Sequence, residues 1–324
     1  MVCYWETSGL NYFSANRTVE DAIATRSLQK EKGRRWVISP VVLWELMLTS
    51  DEVHKEQLIY FAQHLIDSEL LPSPEEMIVK YIAKGCPEIE TPHPLISTIP
   101  IATTWREICD ITAKTFIYDK EDHKQKTHLI ARVIRDIYKI TKGRSVAIAP
   151  YSRETGFDIT LEQLVDRLEV TKATRHMEPG TRARIKISLF YMLVVMCLGG
   201  GVDGDSIRNF WRDRGIDGTL RRWHYLVKYH ETLAYRGPFA TMAEMTVVQS
   251  GRNYSRGLYW DALHSIYLTY VDFLFSEDRH FADLRTALGA HPLAGRIIRP
   301  SEVQWTTELR EITRPETFLK IEEP

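Results

Sequence analysis

Four carboxylates in this chain stand where acids can act together. Glu6 ends the apolar run Val2-Cys3-Tyr4-Trp5, and Asp278 follows Phe273-Leu274-Phe275-Ser276. Glu45 stands one turn into the helix expected after Trp36-Val37-Ile38, and Asp261 opens the helix expected before the Asp278 strand. In a parallel α/β sheet, functional groups gather at the carboxyl ends of the strands, where loops open onto a crevice. Glu6, Glu45 and Asp278 fall at such places, and a chain reversal could bring Asp261 back to the same edge. Converging carboxylates repel one another unless a cation lies among them. Hard oxygen donors suit Mg²⁺ or Mn²⁺, and two such ions ~3.5–4 Å apart can activate water and stabilise the leaving oxygen of a phosphodiester.

The elements that would position these acids can be read from pattern. Val2–Trp5 is a buried strand that enters a helix at Glu6-Thr7-Ser8-Gly9. Thr18, with Asp21 three positions on, predicts a capped helix that stops at Gly33. Trp36-Val37-Ile38-Ser39 is a short strand ended by Pro40, and residues 41–48 form a buried helix. The same rhythm returns late in the chain, with a helix over 260–270, a strand at 273–275, a helix over 281–288 and a last strand at 296–299 stopped by Pro300. Strand alternating with helix predicts a parallel sheet with helices on its faces.

Between these halves the pattern changes. Leu71-Pro72-Ser73-Pro74 and Thr91-Pro92-His93-Pro94 punctuate the chain, and from about Trp105 to Tyr235 the apolar spacing is almost entirely helical. The expected organisation is an α/β core formed by residues 1–70 and 236–324, interrupted by a helical insertion over 71–235. No internal repeat is visible.

Composition limits the partners. Forty-two Lys and Arg against 43 Asp and Glu leave a formal charge of -1, so any anion-binding surface must be local. The uncharged stretch 187–202 falls short of the ~20 apolar residues that span a bilayer and predicts a buried helix. No membrane association is expected, and with no basic region before the first apolar residues the expected location is cytoplasmic. Cys3, Cys86, Cys109 and Cys197 lack paired spacing, which argues against a zinc site or a disulfide framework.

The acids also sit in segments that resemble a known family. Tyr4-Trp5-Glu6-Thr7-Ser8-Gly9-Leu10-Asn11 resembles the opening strand and acid of the PIN-domain nucleases, and Ile38-Ser39-Pro40-Val41-Val42-Leu43-Trp44-Glu45-Leu46 resembles their second strand and glutamate helix. Asp261-Ala262-Leu263-His264, followed by Asp272-Phe273-Leu274-Phe275-Ser276-Glu277-Asp278-Arg279-His280-Phe281, is similar to their closing block and is the most specific match. The resemblance covers roughly the first 65 and the last 80 residues. It implies a PIN-like, Rossmann-type sheet carrying the helical insertion, a divalent metal (Mg²⁺ or Mn²⁺), and endoribonuclease activity in toxin, RNA-processing or defence settings. RNA is favoured over DNA because the family leans that way, and a regulatory protein partner or a homo-oligomer is compatible with it. Glu6, Glu45, Asp261 and Asp278 would be metal ligands. Ser276 matches the family's hydroxyl two positions before its last acid and would orient water or phosphate, with Thr7 or Ser8 assisting. One position departs: the family's first acid is normally aspartate, and the extra methylene of Glu6 moves the carboxylate outward.

The helical middle adds a candidate nucleic-acid face. On a helix over 129–142, Ile130, Val133, Ile134 and Ile137 share one side while Arg132, Arg135, Lys139 and Lys142 share the other. Eight Lys or Arg and one acid, Asp136, lie between Lys124 and Arg153. Such a strip could hold phosphates, or could be a solvated face paired with acids from elsewhere. Arg182, Arg184 and Lys186, and Arg208, Arg212, Arg214, Arg221 and Arg222, add weaker basic groups. Asp203-Gly204-Asp205-Ser206 lacks the later glutamate of a calcium loop and is read as a cap for a helix at Ile207. Asp272 and Glu277 are read as structural. Two rival readings stand beside the nuclease: a catalytically degenerate nucleic-acid-binding or scaffold protein, and a metal-independent ribonuclease using Arg285 and His291.

Overall fold

A computed structural model describes residues 1–67, 70–86, 132–133, 135–140, 142–148, 160–163, 179–198, 204–229, 237–250 and 257–303. In chain order its principal elements are β1 (Val2–Trp5), α1 (Thr7–Asn16), α2 (Val19–Glu31), β2 (Arg35–Val37), α3 (Pro40–Leu48), α4 (Glu52–Leu65) and α5 (Pro74–Ala83). Then come α6 (Pro179–Tyr191), α7 (Gly204–Asp213), α8 (Thr219–Val227), α9 (Gly237–Ser250) and α10 (Leu258–Ile266). β3 (Phe273–Phe275), α11 (Arg279–Leu288) and β4 (Ile297–Ile298) follow. The chain divides into two compact units. Among the described residues, 1–72 and 270–303 form an α/β unit, and the rest form a mostly helical unit.

The α/β unit is built on a parallel sheet in the order β2-β1-β3-β4, with Trp5 in register with Phe275 and Cys3 with Trp36. A single parallel bridge from Ile38 to Leu70 extends it beyond β2. Cys3, Tyr4 and Trp5 are all buried, which is why β1 reads as a continuous apolar run without alternation. On one face Trp5 stacks on Phe275 (4.6 Å between centroids, 9° between planes) and meets Trp36 at 5.0 Å and Phe13 at 5.4 Å. From β1 the chain turns to β2 on one side, whereas β3 joins β1 on the other. The strand order therefore reverses between β1 and β3, the place where open α/β sheets form a crevice.

Local chemistry fixes the helices around the sheet. Thr18 and Asp21 form the expected capping box, and α2 is followed by Gly33 at φ +68°. Ser39 caps α3 with Pro40 in its first turn, and the Ser39 hydroxyl also meets the Tyr4 hydroxyl at 2.9 Å. Burial pushes the Cys3 thiol from 9.0 up to about 12, with smaller effects from Arg34 and Asp272. A thiol raised in this way adds stability that is complete below about pH 9 and is lost as the pH climbs toward 12. Cys3→Ala is expected to flatten the alkaline fall of the urea midpoint between pH 9 and 11, by up to about 1.4 kcal/mol per pH unit. Equal slopes in both proteins would contradict it.

Several boundaries differ from the sequence expectation. β4 is only Ile297–Ile298, because Arg296 lies in a 3₁₀ turn and the Arg299 side chain is drawn to Glu277 at 3.0 Å. The helix expected over 260–270 starts at Leu258 and ends at Ile266, followed by the 3₁₀ turn Tyr267–Thr269. The stretch from Ile187 is not one regular helix: α6 passes into a buried π-helix, Met192–Cys197, whose Met196 and Cys197 carbonyls accept bonds from Trp211 Nε1 and Arg222. α7 begins at Gly204 rather than at Ile207. The described residues 237–250 and 257–269 fall within the core expected over 236–324 but cluster with the helical unit, because α9 packs against α6 and α10. That unit also holds an antiparallel bridge from Ala147 to Thr160. No helix among the described residues is long and apolar enough to cross a membrane. Cys3, Cys86 and Cys197 are buried thiols outside any disulfide, and Cys109 lies outside the described residues.

Candidate functional site

The carboxyl ends of β1 and β3 present Glu6 and the segment Ser276-Glu277-Asp278. Phe275 O accepts from Glu6 N at 3.1 Å, so the two strand ends are fastened where the acids emerge. Each acid then caps a helix. Glu6 is the N-cap of α1 and Asp278 the N-cap of α11, each with its side chain bonded to the backbone N–H two residues on, Ser8 N at 3.0 Å and His280 N at 2.7 Å. Both carboxylates thus lie at helix N-termini, whose partial positive charge favours anions.

One hydroxyl joins the two ends. Ser8 Oγ donates to Glu6 Oε2 and accepts from Glu277 N at 3.0 Å and Asp278 N at 2.9 Å. It also lies 3.1 Å from Ser276 Oγ, which accepts from Asp278 N at 3.0 Å. Ser276 is fully buried. Its hydroxyl therefore positions the Asp278 backbone, which corrects the expectation that it would meet water or phosphate. The extra methylene of Glu6 does not carry its carboxylate outward. The carboxylate folds back on α1 so that both oxygens bond Ser8, and the residue is 3% exposed.

Glu45, on the second turn of α3, accepts from the Thr7 hydroxyl. One of its oxygens lies within 4.8 Å of a Glu6 oxygen. Asp278 Oδ1 also accepts from the ring of His280, Nδ1 standing 3.0 Å away, and the Asp278 side chain is 34% exposed. The candidate acids of the α/β unit thus fall into two groups, Glu6 with Glu45 and Asp278 with the His280 ring, linked through Ser8. His280 was missed in the sequence. The available signal was its place two residues after an N-cap acid, where a side chain can turn back onto the cap. Glu277 faces a structural network, as expected: Arg299 and Ser301 Oγ each reach Glu277 Oε2 at 3.0 Å. Asp272 likewise serves the sheet, accepting from Val2 N at 2.7 Å.

Asp261 belongs to the helical unit. It sits in the first turn of α10, 6% exposed, and accepts from the Gln249 amide of α9 at 3.1 Å. The basic strip is described in part. Residues 132–133 and 135–140 are helical, with Val133, Ile137 and Ile140 buried and Arg132 and Arg135 exposed. Lys139 pairs with the buried Asp136 at 2.6 Å, and the exposed Lys142 lies 5.4 Å from the centre of the Tyr138 ring. Leu129, Ile130, Ile134 and the basic groups at Arg153 and Arg182 lie outside what can be described.

Arg285 forms a two-pronged ion pair with Glu302, at 2.6 and 2.9 Å, which holds the Glu302 carboxyl below its ordinary range. His291 is exposed, and its Nδ1 accepts from Leu293 N at 3.2 Å. Both groups have local structural duties. The chain matches no protein-family model, no curated protein and no solved structure.

Proposed function

We propose that the α/β unit is a PIN-like, divalent-metal-dependent nuclease that hydrolyses RNA phosphodiesters. One observation carries the reading: at the reversal of strand order, a single hydroxyl, Ser8 Oγ, holds both the Glu6 carboxylate and the backbone that presents Asp278. The donors fit Mg²⁺ or Mn²⁺. Glu6 and Glu45 offer hard oxygens within 4.8 Å of each other and would together hold such a cation. When bound, such a cation supplies charge stabilisation on the phosphoryl oxygens and water made acidic enough to attack.

The residues of the chain supply position, which is most of what phosphoryl transfer asks of a protein. Thr7 orients Glu45, and Ser8 fixes Glu6 and the turn before α11. His280 fixes the Asp278 carboxylate through both its backbone N–H and its ring. Glu277, bound to Ser301 and Arg299, steadies the same turn from its other side.

The contacts of Glu6 favour a second reading, in which that acid is only a helix cap and the chain binds nucleic acid without cutting it. Mn²⁺ titration of wild type, Glu6→Gln and Glu45→Gln separates the two. As metal ligands, each acid when neutralised should weaken Mn²⁺ at least about tenfold, the lower bound known even for groups one shell further out. A cap role survives in glutamine, so unchanged Mn²⁺ affinity in both variants sinks the metal site and leaves the second reading.

A further inference from the structure

The chain carries a formal charge of -1, yet residues 219–229 contain Arg221, Arg222 and Lys228 and no acid. They form α8 and its exit, and α8 buries Trp223 and Leu226. Arg221, His224 and Lys228, spaced three and four apart, are exposed along its outer side. Beside Lys228 stand two half-buried phenols. Tyr225 packs edge-on against Trp211 of α7 at 5.7 Å, and the ring of Tyr229 lies 6.0 Å from that of Tyr225.

This surface is braced. Arg214, in the turn between α7 and α8, lies 3.8 Å from the centre of the Phe210 ring and reaches the Tyr225 hydroxyl at 3.4 Å. Arg222 is anchored to Cys197 O at 3.1 Å. Lys228 Nζ lies over the rings of Tyr225 and Tyr229, at 4.1 and 4.8 Å. Two arginines therefore hold the scaffold, Lys228 lies over two aromatic rings, and Arg221 and His224 are exposed on the same helix. Cations that follow a sugar-phosphate backbone, interleaved with rings on which bases stack, are how single-stranded nucleic acids are bound without sequence preference. An acidic protein surface would match the charge and leave the two phenols without a role.

We propose that α8 and its exit bind single-stranded RNA, with Arg221 and Lys228 on phosphates and Tyr225 and Tyr229 against bases. The choice of RNA rests on the nuclease reading, whereas the binding chemistry does not. The test is fluorescence anisotropy of a labelled single-stranded RNA with the full chain carrying Asp278→Asn, in EDTA, so that cleavage cannot intervene. Arg221→Ala with Lys228→Ala should weaken binding and lower the slope of log K against log salt by about 0.7 for each lost phosphate contact. Tyr225→Leu, which keeps an apolar contact with Trp211, should weaken binding about 5- to 150-fold with the salt slope unchanged. Duplex RNA should not respond to that substitution.

Affinity and slope unchanged in the double variant overturn the proposal, as does binding of polyglutamate in place of RNA. If that variant also retains metal-dependent cleavage in an Asp278 background, the nuclease reading stands without this surface. RNA held through α8 by a wild-type chain that never cuts it reverses that outcome.

Discussion

Asp278→Asn is expected to lower the rate of metal-dependent RNA cleavage by roughly a hundredfold or more, the scale on which an electrostatic group in an active site acts, while leaving the melting temperature nearly unchanged. The substitution separates two duties of one side chain. Asparagine is as good an N-cap as aspartate, and its carbonyl oxygen can still accept from His280 N and from Nδ1 of the ring, the bonds that Asp278 Oδ1 makes now. What disappears is the negative charge. Asp278→Ala removes the cap as well and should cost about 1 kcal/mol of stability in addition. Single-turnover cleavage of both variants, beside thermal unfolding, measures the two effects apart. An Asn variant that cuts at the wild-type rate would remove Asp278 from the chemistry.

Gly9→Ala should destabilise the α/β unit by about 1–3 kcal/mol, the usual cost of forcing an extra carbon into a packed site, although alanine in a helix ordinarily gains close to 1 kcal/mol over glycine. The close approach of α1 to β3 decides the sign. A Cβ on Gly9 would stand 2.6 Å from Phe275 O and 3.0 Å from its carbonyl carbon, and both are backbone atoms that cannot swing aside. Relief requires α1 to lift from the end of β3. That movement stretches the bond from Glu6 N to Phe275 O and draws Ser8 Oγ away from Glu277 N and Asp278 N. Cleavage should therefore fall even in the fraction that remains folded. Gly295→Ala, where a Cβ meets nothing within 4 Å, is the control and should shift stability by no more than about 0.5 kcal/mol. Urea unfolding checks both, and a Gly9→Ala protein as stable as wild type would refute the packing argument.

The strands were legible because their residues are buried on both faces, so Val2–Trp5 and Phe273–Phe275 appear as short unbroken apolar runs. The start of α2 was legible because Thr18 and Asp21 complete its first turn reciprocally, whereas Ser39 reads as the end of a strand until its hydroxyl is seen to cap α3. Allegiance was not legible. The pattern over 260–270 shows a helix, but not that α10, with Asp261 in its first turn, would pack on α9 and join the helical unit. The π-helix is equally silent, since Met192–Cys197 is apolar at every position and has no phase to read.

At the site, the placement of Glu6 and Asp278 beside strand ends and of Glu45 one turn into α3 followed from the sequence. The bonds that join them did not, because the partners of Ser8 lie at Glu277 and Asp278, some 270 positions away. The direction of Glu6 depends on a hydroxyl two residues later, and a serine there reads as an ordinary helix start. In the same way the Arg285 and His291 spacing gave no sign of Glu302, which claims the guanidinium.

Whether the acids at the reversal of strand order cut RNA with a divalent ion, as proposed, is read from end-labelled single-stranded RNA. Purified protein is incubated with Mn²⁺, with Mg²⁺ and with EDTA, beside Asp278→Asn. Cutting that requires the metal and is lost in the variant is the expected result; cutting that persists in EDTA, or that Asp278→Asn leaves untouched, would contradict it.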